Sequence, residues 1–248
     1  MRLDYPMKQN GMYILKKADF DDIGEMVLSE YMPNVLDYPK SVDIDYLAQE
    51  CFYLDVKHEV IVPDGVILGM MAFADTEFHT VDDCAEPRTI FLEEGTMLVD
   101  MSLIGEKNRP RERFTKAHET SHWICHRSYH SPTNQQYDFR KNRNMIACRT
   151  DCIEQYKRKQ KFYTDEYWEE WQADSLAAAL LMPRKTFLEA CRSALRTYGV
   201  KKDYLPSDYD RYVAGKIIGE LARTFDVSYR AAQIRMITLG VIKMRNYY

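Results

Sequence analysis

Residues 113–126 read RFTKAHETSHWICH and contain a His-Glu-x-x-His array formed by His118, Glu119 and His122. On an α-helix, positions i and i+4 lie one turn apart on the same face. Two imidazoles at this spacing can bind one metal ion while the glutamate between them lies beside it. The array therefore predicts half of a zinc site, carried by a helix.

The sequence around the array predicts a helix on independent grounds. Asn108 could cap its first turn, and Pro110 suits that turn because its missing N–H is not needed there. Apolar or small residues recur at helical spacing and predict one buried stripe, formed by Phe114, Ala117, Ser121 and Ile124.

The third ligand does not follow directly after the array. Metzincin peptidases carry a glycine and a third histidine there, whereas this chain has Cys125 and Ser128, which excludes that class. A second predicted helix, YWEEWQADSLAAALLMP at residues 167–183, places Glu170 and Asp174 on one face. Small residues on that face, Ala173 and Ala177, would let another helix approach closely. We therefore predict Glu170 as the third ligand.

Two histidines and one carboxylate suit a hydrolytic metal site. Three protein ligands leave an open position for a water, and Glu119 could take a proton from that water as it attacks a carbonyl. Asp174, one turn beyond Glu170, could accept a hydrogen bond from a ligand histidine. Zinc fits this ligand set best, although Mn²⁺ or Fe²⁺ could also bind.

Several segments together resemble the ImmA/IrrE metallopeptidase family. They are residues 113–122, the Glu170-x-x-Ala173-Asp174 step, Leu180-Leu181-Met182-Pro183, Phe225-Asp226-Val227-Ser228 and Ile234-Arg235-x-x-x-Leu239-Gly240. The resemblance extends from about Val66 to Ile242. It implies a metal on His118, His122 and Glu170, catalysis by Glu119, and cleavage of a helix-turn-helix transcriptional repressor of a mobile element or stress regulon.

The remaining pattern predicts an α+β fold of the zincin-like type. Helices are expected at residues 19–31 and from about residue 43 to 52. Apolar and alternating runs at residues 54–60, 66–73, 89–92 and 97–99 predict a small, largely antiparallel sheet packed on the metal helix. His58, on the apolar side of the first strand, is expected to be a packed core residue. An edge strand of the sheet could hold an extended substrate by backbone pairing.

Three regions are expected along the chain. Residues 1–16 would form an N-terminal arm, residues 17–190 the peptidase domain with a basic insertion at about 127–163, and residues 191–248 a C-terminal helical region. The last region has a helix-turn-helix-like outline, with Ser228 as the cap of its final helix and Gly240 as its end. Arg230, Arg235 and Lys243 could reach DNA phosphates there. Substrate docking or packing is the alternative role of these helices.

The basic insertion leaves two readings open. Cys148 and Cys152 would share a face on a helix, and Cys125, His126 or His130 could complete a second metal site with them. The alternative is that the cysteines are ordinary free thiols. The many Lys and Arg residues of the insertion form either a solvated surface or a groove for an acidic partner.

Composition favours an intracellular protein. The net charge of −4 conceals an asymmetry. Residues 1–100 hold 21 acids and 7 bases and carry −14, whereas residues 101–248 carry +10. The sequence shows neither a signal-peptide pattern nor an apolar run of membrane-spanning length, which predicts a soluble, cytoplasmic protein without a membrane partner. A metal-dependent endopeptidase is the leading hypothesis. The alternative is a non-proteolytic regulatory or DNA-binding protein with a structural metal site.

Overall fold

The computed structural model describes residues 3–62, 64–82, 86–131, 145–149, 164–206 and 208–243. The chain separates into two compact units. The first, here called the sheet unit, comprises Met1–Phe20 and Ile44–Ala177; the second, the helical unit, comprises Asp21–Asp43 and Ala178–Tyr248. These limits do not coincide with the boundary expected at residue 190, and the functional division of the chain stays a prediction.

The sheet unit contains two small sheets. The strands are β1 (Asp55–Glu59), β2 (Ile67–Ala72), β3 (Thr76–Val81), β4 (Pro87–Leu92), β5 (Thr96–Asp100) and β6 (Met145–Arg149). A four-stranded sheet has the order β1-β5-β2-β6, and β3 pairs with β4 separately. With the helices below, this gives the expected α+β class.

The strand pairing differs from the prediction in two ways. Strand β1 runs parallel to β5, with Val56 opposite Met97, so the four-stranded sheet is mixed rather than largely antiparallel. The intervening strands β2–β4 supply the long connection that a parallel pair needs. Strand β3 was not among the strands expected from the sequence. On its more buried face Phe78 lies between Thr76 and Thr80, so the apolar part of the period-two pattern is weak.

The core of the four-stranded sheet lies on both of its faces. On one face Met71 and Val99 pack together, with Trp123 against them. On the other face lie Met70 and Leu98. Successive residues of a strand point to opposite faces, so burial of both makes β2 and β5 the central strands. Trp123 belongs to the helix that carries the His-Glu-x-x-His array, which therefore lies on the first face.

The two motif helices are α3 (Arg109–His130) and α4 (Asp165–Leu181). Helix α3 is preceded by α1 (Asp19–Tyr31) and by the short α2 (Ile44–Tyr46), which continues into a π-helical turn. Asn108 directly precedes α3, but its side chain donates to the Ser102 carbonyl instead of capping the helix, so the predicted cap is wrong. Burial around α3 is also wider than the predicted stripe, since nearly every residue from Thr115 to His126 is buried.

The segment expected to form an N-terminal arm packs within the sheet unit. Met12, Tyr13 and Leu15 are buried there. Lys8 and Asn10 bond the Asp165 carboxylate at the start of α4, at 2.7 and 2.8 Å. The segment is therefore tied to the helix that carries Glu170.

The helical unit contains α5 (Arg184–Thr197), α6 (Arg211–Phe225) and α7 (Tyr229–Thr238). The predicted turn is present: Asp226 adopts a left-handed conformation with φ of 51°, and the Ser228 hydroxyl caps α7 by accepting from the Ala231 N–H at 3.0 Å. Arg235 is buried, donates to the Met182 carbonyl and pairs with Asp21. The prediction that Arg235 could reach DNA phosphates is therefore wrong.

Two further expectations concern the surface. His58 is not a packed core residue, because its side chain is 32% exposed and bonds Glu112 at 3.1 Å. Strand β1 is an outer strand of its sheet, so this position is only half covered. Among the described residues, no helix combines the length and apolar character needed to cross a bilayer.

Candidate metal centre

Helix α3 places His118 and His122 one turn apart, deep in the sheet unit. Both side chains are fully buried, and their Nε2 atoms lie 2.9 Å from each other. The imidazole planes are steeply inclined, at 69°. The i, i+4 spacing thus directs both rings to one point, as the array predicts.

Helix α4 brings a carboxylate to the same point. Glu170 places Oε2 3.5 Å from Nε2 of His118 and Oε1 3.6 Å from Nε2 of His122. Ala173 and Ala177, on the same face of α4, are fully buried. The ligand atoms of the three residues all lie within 4.8 Å of one another. Among the described residues, this is the only group of three or more such side chains that could hold a metal ion.

Each histidine has a partner for its other ring nitrogen. Nδ1 of His118 lies 2.9 Å from Oδ1 of Asp174, which places Asp174 where it was expected. Nδ1 of His122 lies 2.9 Å from Nδ1 of His126. A ligand histidine is oriented and made more basic by such a bond on its outer nitrogen. Both rings therefore present Nε2 to the common point.

Glu119 lies beside the ligands with an unusual lack of partners. Its side chain is fully buried, and neither carboxylate oxygen has a hydrogen-bond partner among the described residues. It packs on strand β2 at Gly69, where an added Cβ would lie 2.6 Å from Oε1 of Glu119. Buried carboxylate oxygens without partners are costly. Their presence here fits a site built to receive a cation and a water.

Burial dominates the electrostatics of the site. It raises the pKa of Glu119 to about 8, with the Glu170 charge adding to the effect and His118 opposing it. It also lowers the pKa of His122 to about 4, which keeps this imidazole neutral. Burial would raise the pKa of Glu170, but interaction with His118 and His122 holds it well below the ordinary value. His122 and Glu170 are therefore in the forms that bind metal: a neutral imidazole and an ionised carboxylate.

The spacing of the donor atoms also fits a metal ion. Zinc bonds to histidine nitrogen and carboxylate oxygen are about 2.0–2.2 Å long, so the ligands of a tetrahedral site lie roughly 3.3 Å apart. The two Nε2 atoms lie 2.9 Å apart, and each lies 3.5 or 3.6 Å from a different oxygen of Glu170, so these separations bracket that distance. Two unprotonated Nε2 atoms facing each other would repel without a cation between them. We conclude that His118, His122 and Glu170 could hold a metal ion.

The family model of the IrrE N-terminal-like domain, Peptidase_M78, matches residues 103–236, more than half of the chain. The chain belongs to this family. The matched span of the IrrE-like domain includes both motif helices and extends into α7. Membership agrees with the resemblance noted in the sequence and supports a metallopeptidase-type function. Comparison with curated proteins found no match.

The structure of this IrrE-like chain brings together every site residue predicted from the sequence. His118, Glu119, His122, Glu170 and Asp174 all lie at or beside one point.

Sequence reasoning missed two residues of the site, His126 and Gln172. His126 was considered for a second metal site with the cysteines, but it lies against His122 and against Oε1 of Gln172 at 3.1 Å. The available signal was its position four residues after His122, which repeats the spacing of the array. Cys148 lies in β6 and not on a helix, and Cys152 lies outside the described residues, as does most of the basic insertion. The second metal site therefore stays a prediction.

Proposed function

We propose that this IrrE-like chain is a zinc-dependent endopeptidase that cleaves a transcriptional repressor. The observation that carries the proposal is the convergence of two imidazoles from α3 and one carboxylate from α4, with Glu119 buried beside them. Helix α3 packs on one face of a small mixed sheet. This arrangement is consistent with a zincin-like catalytic domain.

In this proposal His118, His122 and Glu170 hold the metal, and Asp174 orients His118. The bound metal would polarise the scissile carbonyl and make a nearby water easier to deprotonate. Zinc suits two imidazoles and one carboxylate, although Mn²⁺ or Fe²⁺ could occupy the same set.

Glu119 would act as the general base and then as the general acid. Its carboxylate would accept a proton from the attacking water and deliver it to the leaving amine. A raised pKa favours the second task, because a carboxyl that holds its proton near neutral pH can donate it. A positive charge beside the carboxylate favours its ionised form, which is the form that accepts the proton from the water. The burial of Glu119 without other partners keeps it available for both.

A polypeptide substrate would bind in extended form along an edge of the four-stranded sheet. The order β1-β5-β2-β6 leaves β1 and β6 at its edges, and an edge strand can pair with a substrate backbone. By the family resemblance, the substrate would be a helix-turn-helix repressor of a mobile element or a stress regulon. Such a substrate would place the reaction in the cytoplasm.

The alternative of a DNA-binding regulator with a structural metal site has less support. Arg235 is buried and paired, which removes one of three expected phosphate contacts. A purely structural zinc site is usually closed by four protein ligands, whereas three converge here in the part of the chain that the structure describes.

The test is cleavage in a native extract of the source organism. Zinc-loaded parent protein and the Glu119→Gln variant are incubated with the extract, and new protein N-termini are identified by amine labelling and mass spectrometry. We expect parent-dependent termini within a helix-turn-helix protein, none with the variant, and equal zinc content in both. Cleavage by Glu119→Gln at the parent rate, with zinc retained, would overturn the mechanism.

A further inference from the structure

His126 is a buried histidine next to the metal centre that the proposed mechanism does not use. It lies one turn after His122 on α3 and is fully buried. Its two ring nitrogens have different neighbours: Nδ1 faces Nδ1 of His122 at 2.9 Å, and Nε2 faces Oε1 of Gln172 at 3.1 Å. The histidine thus connects a ligand on α3 to an amide on α4.

The far end of this connection is a backbone carbonyl. Nε2 of Gln172 donates to the carbonyl oxygen of Tyr13 at 2.9 Å. A carbonyl oxygen can only accept a hydrogen bond. The Gln172 amide must therefore direct its NH₂ toward Tyr13 and its oxygen toward His126. The reverse orientation would place two acceptor oxygens against each other.

The orientation of the Gln172 amide determines where the protons lie in the series of hydrogen bonds from Tyr13 to His122. Because Oε1 of Gln172 can only accept, Nε2 of His126 must carry a proton and donate it. The His126 ring is fully buried, and its bonds among the described residues go to the His122 ring and to the neutral Gln172 amide, where a charged ring would be costly. A neutral ring that carries its proton on Nε2 has an acceptor at Nδ1. The Nδ1 atom of His122 must then be the donor of the 2.9 Å bond. Its proton lies on Nδ1, and Nε2 keeps its lone pair for a metal.

We propose that His126 and Gln172 are positioning residues that hold His122 in its Nδ1–H tautomer, with the Tyr13 carbonyl setting the direction of every bond. The inference rests on the proposed metal site.

The two ligand histidines are oriented by different means. His118 donates directly to the Asp174 carboxylate, whereas His122 donates to a neutral ring. An anionic partner makes a ligand histidine more basic than a neutral one does. The neutral partners His126 and Gln172 therefore act on His122 mainly by fixing its tautomer and the orientation of its ring.

The N-terminal segment is linked to the metal site by the hydrogen bonds that run from Tyr13 through Gln172 and His126 to His122. Tyr13 is held in place by a β-bridge to Met7, and Ile14 donates to the Pro6 carbonyl at 2.8 Å. These contacts fix the position of the Tyr13 carbonyl, which accepts the hydrogen bond from Gln172. Residues 1–16 thus contribute to the orientation of His122 without contacting it.

The direct test is the tautomer of each histidine, observed by two-dimensional NMR of the protein labelled with ¹⁵N-histidine. In the zinc-loaded parent we expect His122 protonated at Nδ1 and His126 protonated at Nε2. His126 protonated at Nδ1 would overturn the proposal, whatever the variants below show.

The second readout is zinc affinity, measured by competition with a chromophoric chelator. His126→Leu is expected to bind zinc about 10- to 100-fold more weakly, the usual effect of losing such an outer partner. His126→Asn is expected to recover part of the loss, because its side-chain oxygen can still accept from Nδ1 of His122. The matched control is His130→Leu, which removes a buried histidine of the same helix that bonds Glu169 instead and is expected to retain the parent affinity.

The outcomes separate this inference from the proposed function. Unchanged zinc affinity in His126→Leu, beside loss of zinc in Glu170→Ala, would overturn the positioning role and leave the metal site intact. Retention of zinc by Glu170→Ala would instead contradict the proposed function. Urea unfolding of the metal-free variants checks their folding. Equal weakening in the His126→Leu and His130→Leu variants would show a general loss of packing and would also overturn the proposal.

Discussion

Gly69 in strand β2 lies where the Glu119 side chain needs room, and Gly69→Ala is expected to impair both stability and turnover. An added Cβ would lie 2.6 Å from Oε1 of Glu119 and 2.6 Å from Cγ2 of Thr115. Ordinary contacts between heavy atoms are about 3.5–4.0 Å, so each neighbour would have to withdraw by roughly 1 Å. Both side chains are buried and cannot turn into solvent.

The size of the effect follows from this crowding. Forcing extra volume into a packed core costs about 1–3 kcal/mol in the free energy of unfolding. A displacement of about 1 Å at a catalytic group can reduce the rate about 100-fold. Zinc content should stay at the parent level, because Glu119 is not one of the proposed ligands. The variant should therefore be less stable and much slower while remaining metal-bound.

The assay combines urea unfolding, zinc analysis and turnover of the substrate identified in the extract experiment. Gly215→Ala is the control, since its added Cβ would meet only the Tyr229 hydroxyl, at the ordinary distance of 3.8 Å. Alanine in place of a helix-interior glycine should stabilise by about 0.5–1 kcal/mol. Parent stability and parent turnover in Gly69→Ala would refute the reasoning about how Glu119 is held.

Three further predictions concern stability. Arg235→Met should cost about 3–5 kcal/mol, because it leaves the buried Asp21 charge without its partner; urea unfolding measures this, and the double variant with Asp21→Leu should recover much of the loss. Burial alone would raise the pKa of Glu112, but hydrogen bonds from Lys116 and His58 lower it below the ordinary value. Stability from this carboxylate is thus present above the unfolded-state pKa of about 4.3 and is lost as pH falls through the lower folded-state pKa. Glu112→Gln should therefore be about 1–2 kcal/mol less stable than the parent at pH 7, and a gap that persists unchanged in acid would contradict this. Removal of zinc by a chelator should lower the free energy of unfolding by about 2.7 kcal/mol, relative to protein in free zinc at 100 times the dissociation constant of the site. Scanning calorimetry with and without zinc measures the difference.

The helices that carry the site could be predicted because their signals are local. The array at His118 and His122 needs only the helical period to place two rings on one face. Glu170 was predicted from the small residues that share its face on α4, and the structure places it 3.5 and 3.6 Å from the two rings. The Ser228 cap was predicted from the preference of serine for helix starts, and its hydroxyl accepts the expected bond.

Features that depend on distant parts of the chain could not be predicted in the same way. The parallel pairing of β1 with β5 depends on which strands meet, and residue type does not reveal it. The burial of Arg235 depends on Asp21, more than 200 residues away. The contact of His126 with Gln172 on α4 leaves nothing in the local pattern around residue 126.

The central claim is that two helices far apart in the chain build one metal site, and zinc stoichiometry after dialysis tests it most directly. Parent protein, Glu170→Ala and Glu166→Ala are dialysed against the same zinc buffer and measured by plasma mass spectrometry. Glu166 is the matched control, because it is an exposed glutamate one turn earlier on α4. We predict about one zinc per chain in the parent and in Glu166→Ala, and a loss of most of the zinc in Glu170→Ala. Parent-level zinc in Glu170→Ala would contradict the account.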